Sequence, residues 1–386
     1  MLPAARACSG GPREASAYLL RPPRPRSRLR ILFVTQGFES FVREDVDHLR
    51  SFADVETFQF DVNKGSRGAN ALAVASEALR QRRWLAQHLP GADAVYGWFA
   101  DSHMVLPTRA ATAAGVPVLV AIAGFDAIAL PELGYGVYES WRAPLARYVL
   151  RNATHVVPCD ETMIAHENRY SAYPDRLANG VRAHVPGFET PYTVIPFGFD
   201  PSDWRLGPAE RPAVVCTVGH LGRERVQRRK GLDVFVAAAR HLPDVTFRIV
   251  GVPDADAEAV RQRYEAGANV EILPPRPREE LADLYANASV YAQLSRAEGQ
   301  PNVLGEAMCS GCIPVGSPVF GIPGTIGDTG YVVETPEPRH VADVIYRALH
   351  EATPERRAAA RNRVIEQYSR AARRKRLRAL VERVAA

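Results

Sequence analysis

From residue 29 onward the chain alternates short apolar runs with longer helical ones, and it does so twice. The runs LRILFVTQ (29–36), VETFQFDV (55–62), ADAVYGWFA (92–100), VPVLVAIAG (116–124), THVVPCD (154–160) and YTVIPFG (192–198) have the length and the β-branched character of strands. Between them lie VREDVDHLRSF (42–52), ALAVASEALRQRRWLAQHL (71–89) and the segment around 104–114, which read as helices. After GFDPSDWRLGPAERP (198–212), rich in turn residues, the pattern resumes with AVVCTVG, TFRIVG, VEILPP, SVYAQLS, IPVGS and GYVVE, spaced by LDVFVAAARHL and REELADLYANA. Strands linked through helices run parallel, and a parallel sheet needs cover on both faces. The chain of 386 residues is also too long for one core. The expectation is α/β, with two doubly wound Rossmann-like domains facing a central cleft. Their bounds are 29–197 and 213–354, with 198–212 as linker.

Charge is uneven along the chain. Residues 1–30 hold seven Arg against one Glu, and residues 356–386 hold ten Arg and one Lys against two Glu, around a net acidic body. The first segment is rich in Pro, Gly and Arg and lacks a continuous apolar core, so residues 1–28 are expected to be a disordered basic tail. Residues 355–386 are expected to form basic helices that pack back across the cleft. The five cysteines are scattered, as in a reducing compartment, and a cytoplasmic setting is expected. The CSGC run (309–312) has no second pair or His cluster and is read as packing, not as a metal site. No apolar run reaches the length of a membrane span. Tyr138–Ala153 sets Trp141, Leu145, Tyr148 and Val149 beside Arg142, Arg147 and Arg151, which suits either an anionic membrane surface or a core-facing helix. No nucleic-acid partner is expected.

The stretch EGQPNVLGEAM (298–308) follows the strand SVYAQLS. In an open parallel sheet, ligands sit beyond the carboxyl ends of strands. Pro301 suits a first helical turn, so a helix is expected to start there, with Asn302 and Val303 in its first turn and free N–H groups facing an anion. Gly299 lets a ligand approach the backbone. Glu298 on the loop and Glu306 within the helix can both face one ligand, and carboxylates accept from sugar and ribose hydroxyls. A second cluster, VGHLGRERVQRRKGLDVF (218–235), supplies Arg223, Arg225, Arg228, Arg229 and Lys230 after another strand. Cations there would neutralise a diphosphate leaving group.

These segments resemble family 4 glycosyltransferases, which have the GT-B fold. Ala297–Glu334 is similar to that family's donor-binding motif, a glutamate, seven residues and a second glutamate, met here by Glu298 and Glu306. RRKGLDVF matches its Lys-Gly element, with Lys230 on the phosphate-binding lysine. VIPFGFD (194–200) is similar to its interdomain linker, with Phe197 where Asn is usual. The resemblance implies transfer of a sugar from a nucleoside-diphosphate sugar, with retention of configuration and without a metal ion or other cofactor. The acceptor would be a saccharide, a lipid-linked saccharide or a small molecule. By position, Glu298 binds hydroxyls of the donor sugar and Glu306 the ribose, and the backbone from Gly299 through Gln300, Pro301, Asn302 and Val303 meets the sugar or phosphates. Gln300 departs from the usual Phe, and His220 replaces a common Arg. The arginine that partners Lys230 is therefore expected to be Arg225, then Arg223, with His220 a further ligand contact. In the N-terminal half the resemblance places Gly37 near donor and acceptor, and Asp126 where an acceptor-facing His is common. Asp126 has a turn-forming reading beside that one, and Asp101 reads as a helix cap.

Other readings fit less well. A hydrolase would also need two carboxylates flanking one bond, but the helix start and the basic loop call for a phosphate-bearing ligand. A nucleotide-sugar epimerase or phosphorylase of the same fold, and a non-catalytic sugar-nucleotide-binding or membrane-docked scaffold, are the remaining alternatives.

Overall fold

The computed structural model describes residues 28–61, 67–170 and 178–386, with residues 67–71 described by their backbone alone. The expected basic tail lies, apart from Arg28, outside the described residues. The first sheet holds β1 (Leu29–Thr35), β2 (Ala53–Gln59), β3 (Ala94–Trp98), β4 (Val118–Ile122) and β5 (His155–Pro158), in the order β2-β1-β3-β4-β5 and parallel throughout. A two-residue antiparallel pair, β6 (His166–Glu167) with β7 (Ala178–Asn179), stands apart from it. The second sheet holds β8 (Val214–Val218), β9 (Thr246–Val250), β10 (Val270–Leu273), β11 (Val290–Gln293), β12 (Ile313–Gly316) and β13 (Tyr331–Val332). Its order is β10-β9-β8-β11-β12-β13, again parallel.

Strands β3, β4, β8, β11 and β12 are buried along their whole length, which explains why they read as unbroken apolar runs. In the second sheet the strand order reverses between β8 and β11, and the loops leaving those two strands carry Lys230 and Glu298. Such a reversal opens a crevice at the strand ends.

One expected strand is absent. Residues 192–198 form no strand, and only Tyr192 makes an isolated bridge to Val156. Thr193 and Ile195 N–H still donate to the Val156 and Pro158 carbonyls of β5 at 3.1 and 2.9 Å, and the chain then crosses to the second half, where Phe197 and Phe199 are buried. Phe199 then bridges Ser369: its N–H donates to the Tyr368 carbonyl at 2.7 Å, and its carbonyl accepts from Arg370 N–H at 2.9 Å. Gly198 permits the approach, since a Cβ there would stand 2.6 Å from Arg370 Cα.

Ser369 starts the last helix, Arg370–Ala385, and caps it by accepting from Ala372 N–H. This helix packs on the helix Ser40–Arg50 of the first half. Leu377, Leu380 and Val381 supply its apolar side. Arg373 supplies its charge, donating through Nε and Nη2 to the two carboxylate oxygens of Asp45 at 2.7 Å each. Asp45 is fully buried and also accepts from Tyr96 Oη at 3.1 Å and Trp98 Nε1 at 3.0 Å. Arg373 further donates to the Ile195 and Pro196 carbonyls at 2.6 and 2.8 Å. One guanidinium thus ties the end of the chain to the first half and to the crossing segment.

The helix Ala143–Asn152 faces the core. Ala143, Ala146, Val149 and Leu150 are buried, Arg142 pairs with Asp101, Arg147 donates to the His184 carbonyl at 2.8 Å and Arg151 to that of Pro186 at 2.6 and 3.0 Å. Its apolar stripe is occupied by protein, and Trp141 alone of the four named apolar residues is strongly exposed, at 74%.

Removing one partner of a buried, fully bonded ion pair costs about 3–5 kcal/mol. Arg373→Met is expected to lower the thermal unfolding midpoint by several degrees, and adding Asp45→Asn to recover part of that loss. Calorimetric scans of the single and double variants measure both.

Candidate functional site

The chain leaves β11 and runs past Ser295, where Gln293 Nε2 donates to Ser295 Oγ at 2.7 Å, to Glu298. Lys230 Nζ donates to Glu298 Oε2, and Arg229 Nη1 lies 3.4 Å from the same oxygen. Arg229 also donates to the Ala297 carbonyl at 2.9 Å. The three side chains are only 14–17% exposed. Burial pushes the Glu298 carboxyl up, but Lys230 and then Arg229 outweigh it and hold the group below the ordinary carboxylate range. For Lys230, burial lowers the ammonium and the neighbouring Arg229 adds to it, against the opposing pull of Glu298. Two cations share one carboxylate, so the cluster carries a surplus positive charge.

Backbone geometry sets this cluster. Arg229 ends the short helix Glu224–Arg229, and Gly231 turns the chain in the left-handed region (φ 74°) into the helix Leu232–Ala239. A Cβ on Gly231 would lie 1.9 Å from the Leu294 carbonyl oxygen. Glycine there lets the Lys-Gly turn press against the tail of β11, and that contact delivers Lys230 to Glu298.

Gly299 meets the first half of the chain. A Cβ on it would stand 1.8 Å from the Ala123 carbonyl oxygen and 3.1 Å from Cys159 Sγ, both at ends of first-sheet strands. Further polar contacts close the cleft around it: Asn168 Nδ2 donates to the Arg296 carbonyl at 2.9 Å, and Phe320 N–H to His166 Nε2 at 3.3 Å. Pro301 precedes the helix Asn302–Cys309, and no side chain caps that start. Its first N–H groups, including those of Asn302 and Val303, are therefore left to a ligand or water.

The Gln300 side chain is engaged within the protein. It is buried, and its Oε1 accepts from Phe197 N–H at 2.5 Å, so the side chain ties the loop after β11 to the crossing segment. Its Nε2 is buried without a partner among the described residues. Glu306 lies half-buried on the helix. Burial raises its carboxyl to about 7; Arg278 opposes the rise, while Glu44 and Asp203 add to it.

The arginine beside Lys230 is Arg229, where the sequence pointed to Arg225 and then Arg223. Arg225 is exposed and donates to the Gly134 carbonyl at 2.9 Å across the cleft. Arg223 stands exposed before the short helix, and His220 is exposed after β8. Five basic residues within eight positions give spacing no means of choosing among them. The helix start at Glu224 and the turn at Gly231 make the choice.

Asp126 is fully buried, and its carboxylate is taken up by backbone: Ala100 N–H at 2.9 Å, Ala123 N–H at 3.3 Å and Gly124 N–H at 3.5 Å. Burial pushes it to about 6 against those bonds. It shapes the loops after β3 and β4 and has no free face for an acceptor. Asp101 caps the helix Ser102–Ala113, accepting from Ser102 N–H at 2.6 Å. Gly37 sits in a turn closed by Thr35 Oγ1, which donates to its carbonyl at 2.7 Å.

The raised Glu306 carboxyl makes a signed prediction. The folded chain holds this proton above pH ~4.3, where an unfolded Glu releases it, so the group's contribution to stability falls as pH rises from there through about 7. Glu306→Gln is expected to match the parent thermal midpoint near pH 4 and to exceed it at pH 8. Scanning fluorimetry of both proteins across that range measures the difference.

Comparison with known proteins accords with this geometry. Residues 213–351 match the glycosyl transferases group 1 family. A D-inositol 3-phosphate glycosyltransferase of Mycobacterium sp. (strain KMS) is 33% identical over 138 residues, spanning 33% of this chain and 30% of that protein. The chain thus matches under a third of that relative's length. Among solved structures, sucrose-phosphate synthase from Thermosynechococcus elongatus superposes with a TM-score of 0.71 at 18% identity, covering 92% of this chain and 99% of its own. Anabaena HepE, solved in complex with UDP, superposes with a TM-score of 0.67 at 17% identity, covering 92% and 100%. Residues 213–351 thus resemble glycosyl transferases group 1, and the chain as a whole shares the two-sheet fold of these solved structures.

Proposed function

We propose that the chain transfers a sugar from a nucleoside-diphosphate sugar to an acceptor hydroxyl, with retention of configuration and without a metal ion. The observation that carries this reading is the surplus cation at Glu298: Lys230 and Arg229 on one carboxylate, beside an uncapped helix start. In that setting a diphosphate takes the ammonium and the guanidinium, and Glu298 becomes free to accept from hydroxyls of the donor sugar. Glu306 accepts from the ribose. As the bond from the anomeric carbon to the phosphate oxygen breaks, negative charge grows on the diphosphate, where preorganised cations in a dry site act most strongly. The acceptor oxygen bonds the anomeric carbon on the face the phosphate leaves, and its proton passes to a phosphate oxygen. No protein nucleophile is needed. Closure of the two halves over Gly299 keeps water from the donor.

UDP is the first nucleotide to try, because the HepE structures were solved with UDP and UDP-glucose. The acceptor is taken to be a saccharide, a lipid-linked saccharide or a small polyol phosphate, the last suggested by the names of the curated relatives. Among the described residues no helix is long and apolar enough to cross a membrane. We place the work in the cytoplasm. If the acceptor is lipid-linked, the exposed Arg374, Lys375, Arg376 and Arg378 of the last helix form the side that meets an anionic surface. Co-sedimentation with phosphatidylglycerol vesicles at low salt, lost when these four become Glu, is the expected result, and no pelleting at low salt would contradict it.

Titration calorimetry with UDP, GDP and ADP tests the main reading. One of the three is expected to bind with micromolar affinity. Loss of a charge-assisted bond weakens binding by about 10–100-fold, the effect expected for Lys230→Ala and Glu306→Ala. A folded chain that binds none of them is not a transferase of this kind.

A further inference from the structure

Across the cleft, one point is marked by what a side chain there would touch. Gly124 follows β4, and a Cβ placed on it would lie 3.4 Å from Tyr135 Oη and 3.7 Å from the Gly299 nitrogen. The Tyr135 hydroxyl and the N–H of the loop after Glu298 therefore converge at a residue with no side chain. That hydroxyl bonds to no described residue.

The ring, by contrast, is held. The Arg229 guanidinium carbon lies 4.7 Å from its centroid, and Phe125 packs edge-on with centroids 5.8 Å apart. The backbone is held as well. Tyr135 and Leu130 exchange N–H···O bonds of 2.9 and 3.1 Å, closing the loop. Glycines in the left-handed region flank Tyr135, with φ 52° at Gly134 and 111° at Gly136, and a Cβ on Gly136 would stand 2.1 Å from the Ile128 carbonyl oxygen. A loop of the first half is thus built to fix one aromatic side chain against a cation of the second half, with its hydroxyl left over.

Three groups that seek negative charge meet here: the Arg229 guanidinium, the Gly299 N–H and the Tyr135 O–H. Burial raises the phenol to about 12, against Arg229, so the group keeps its proton at neutral pH and donates. We propose that Tyr135 is a further catalytic residue, whose hydroxyl donates a hydrogen bond to the phosphate oxygen that leaves the anomeric carbon while its ring holds Arg229 in place. The carbon–oxygen bond breaks with its electron pair going to that oxygen. Tyr135 keeps its proton throughout, and the acceptor's proton goes to another phosphate oxygen. This rests on the transferase reading and adds a residue from the acceptor-side half to the donor's phosphate.

The test compares Tyr135→Phe with the parent chain in nucleotide release from UDP-glucose, GDP-mannose and ADP-glucose, with water alone and with added acceptors. A hydrogen bond to the leaving oxygen serves both reactions equally. Expected for Tyr135→Phe is a kcat about 10–100-fold lower in water and with acceptor alike, with the donor KM and the thermal midpoint essentially unchanged. Tyr135→Ala is expected to lose more, because Arg229 loses its ring. A Tyr135→Phe kcat equal to the parent's would overturn the proposal. So would a loss confined to the acceptor-dependent rate, which would move the hydroxyl to the acceptor. If the parent chain releases nucleotide from none of the three donors, the transferase reading fails first and the role of Tyr135 falls with it.

Discussion

Glu298 keeps its negative charge in a place where burial alone would favour neutrality. Two cations hold it there, and they reach it only because Gly231 lets the Lys-Gly turn touch the tail of β11. Much else in the cleft follows from that cluster. A carboxylate with one cation would be a closed ion pair. With two it forms a site that is net positive and still hungry for an anion. A dry environment strengthens each of those interactions, and the contact of Gly299 with Ala123 provides it by bringing the first half over the site.

The two halves are joined by more than their linker. The Phe199–Ser369 bridge and the Asp45–Arg373 pair bring the end of the chain back to the first half. Gln300 stands at the same junction: it belongs to the loop that carries Glu298, and its side-chain carbonyl oxygen is committed to the Phe197 N–H. The crossing segment is in this way joined to the loop that carries Glu298.

Much of this was legible in the sequence, for physical reasons. Buried parallel strands must be apolar on both faces, so β3, β4 and β8 stand out without any alignment. Glu298, Glu306 and Lys230 stood out as candidates because charged residues beside Gly and Pro at strand ends suit ligands better than cores, and the structure brings Lys230 onto Glu298. Tyr192–Gly198 misled because a buried crossing segment is as apolar as a strand, while it touches β5 through only a bridge and a few bonds and forms no ladder. Arg229 was hidden in a run of like charges, where only the end of a six-residue helix distinguishes one position from the next. Asp126 carried an acceptor-facing reading beside a turn-forming one, and the three backbone N–H groups that claim its carboxylate favour the second. Asp45 and Arg373 are 328 positions apart, and no local pattern connects them. For Tyr135 a local signal did exist, an aromatic residue between two glycines, but its meaning depends on a guanidinium from the other half.

The most direct test of the central claim is a crystal structure of the chain with UDP bound. The diphosphate is predicted to lie against Lys230 Nζ and the Arg229 guanidinium, with Glu298 released from Lys230 and the ribose on Glu306. A diphosphate bound elsewhere, with the Lys230–Glu298 pair intact, would contradict the assignment of this cluster as the donor site.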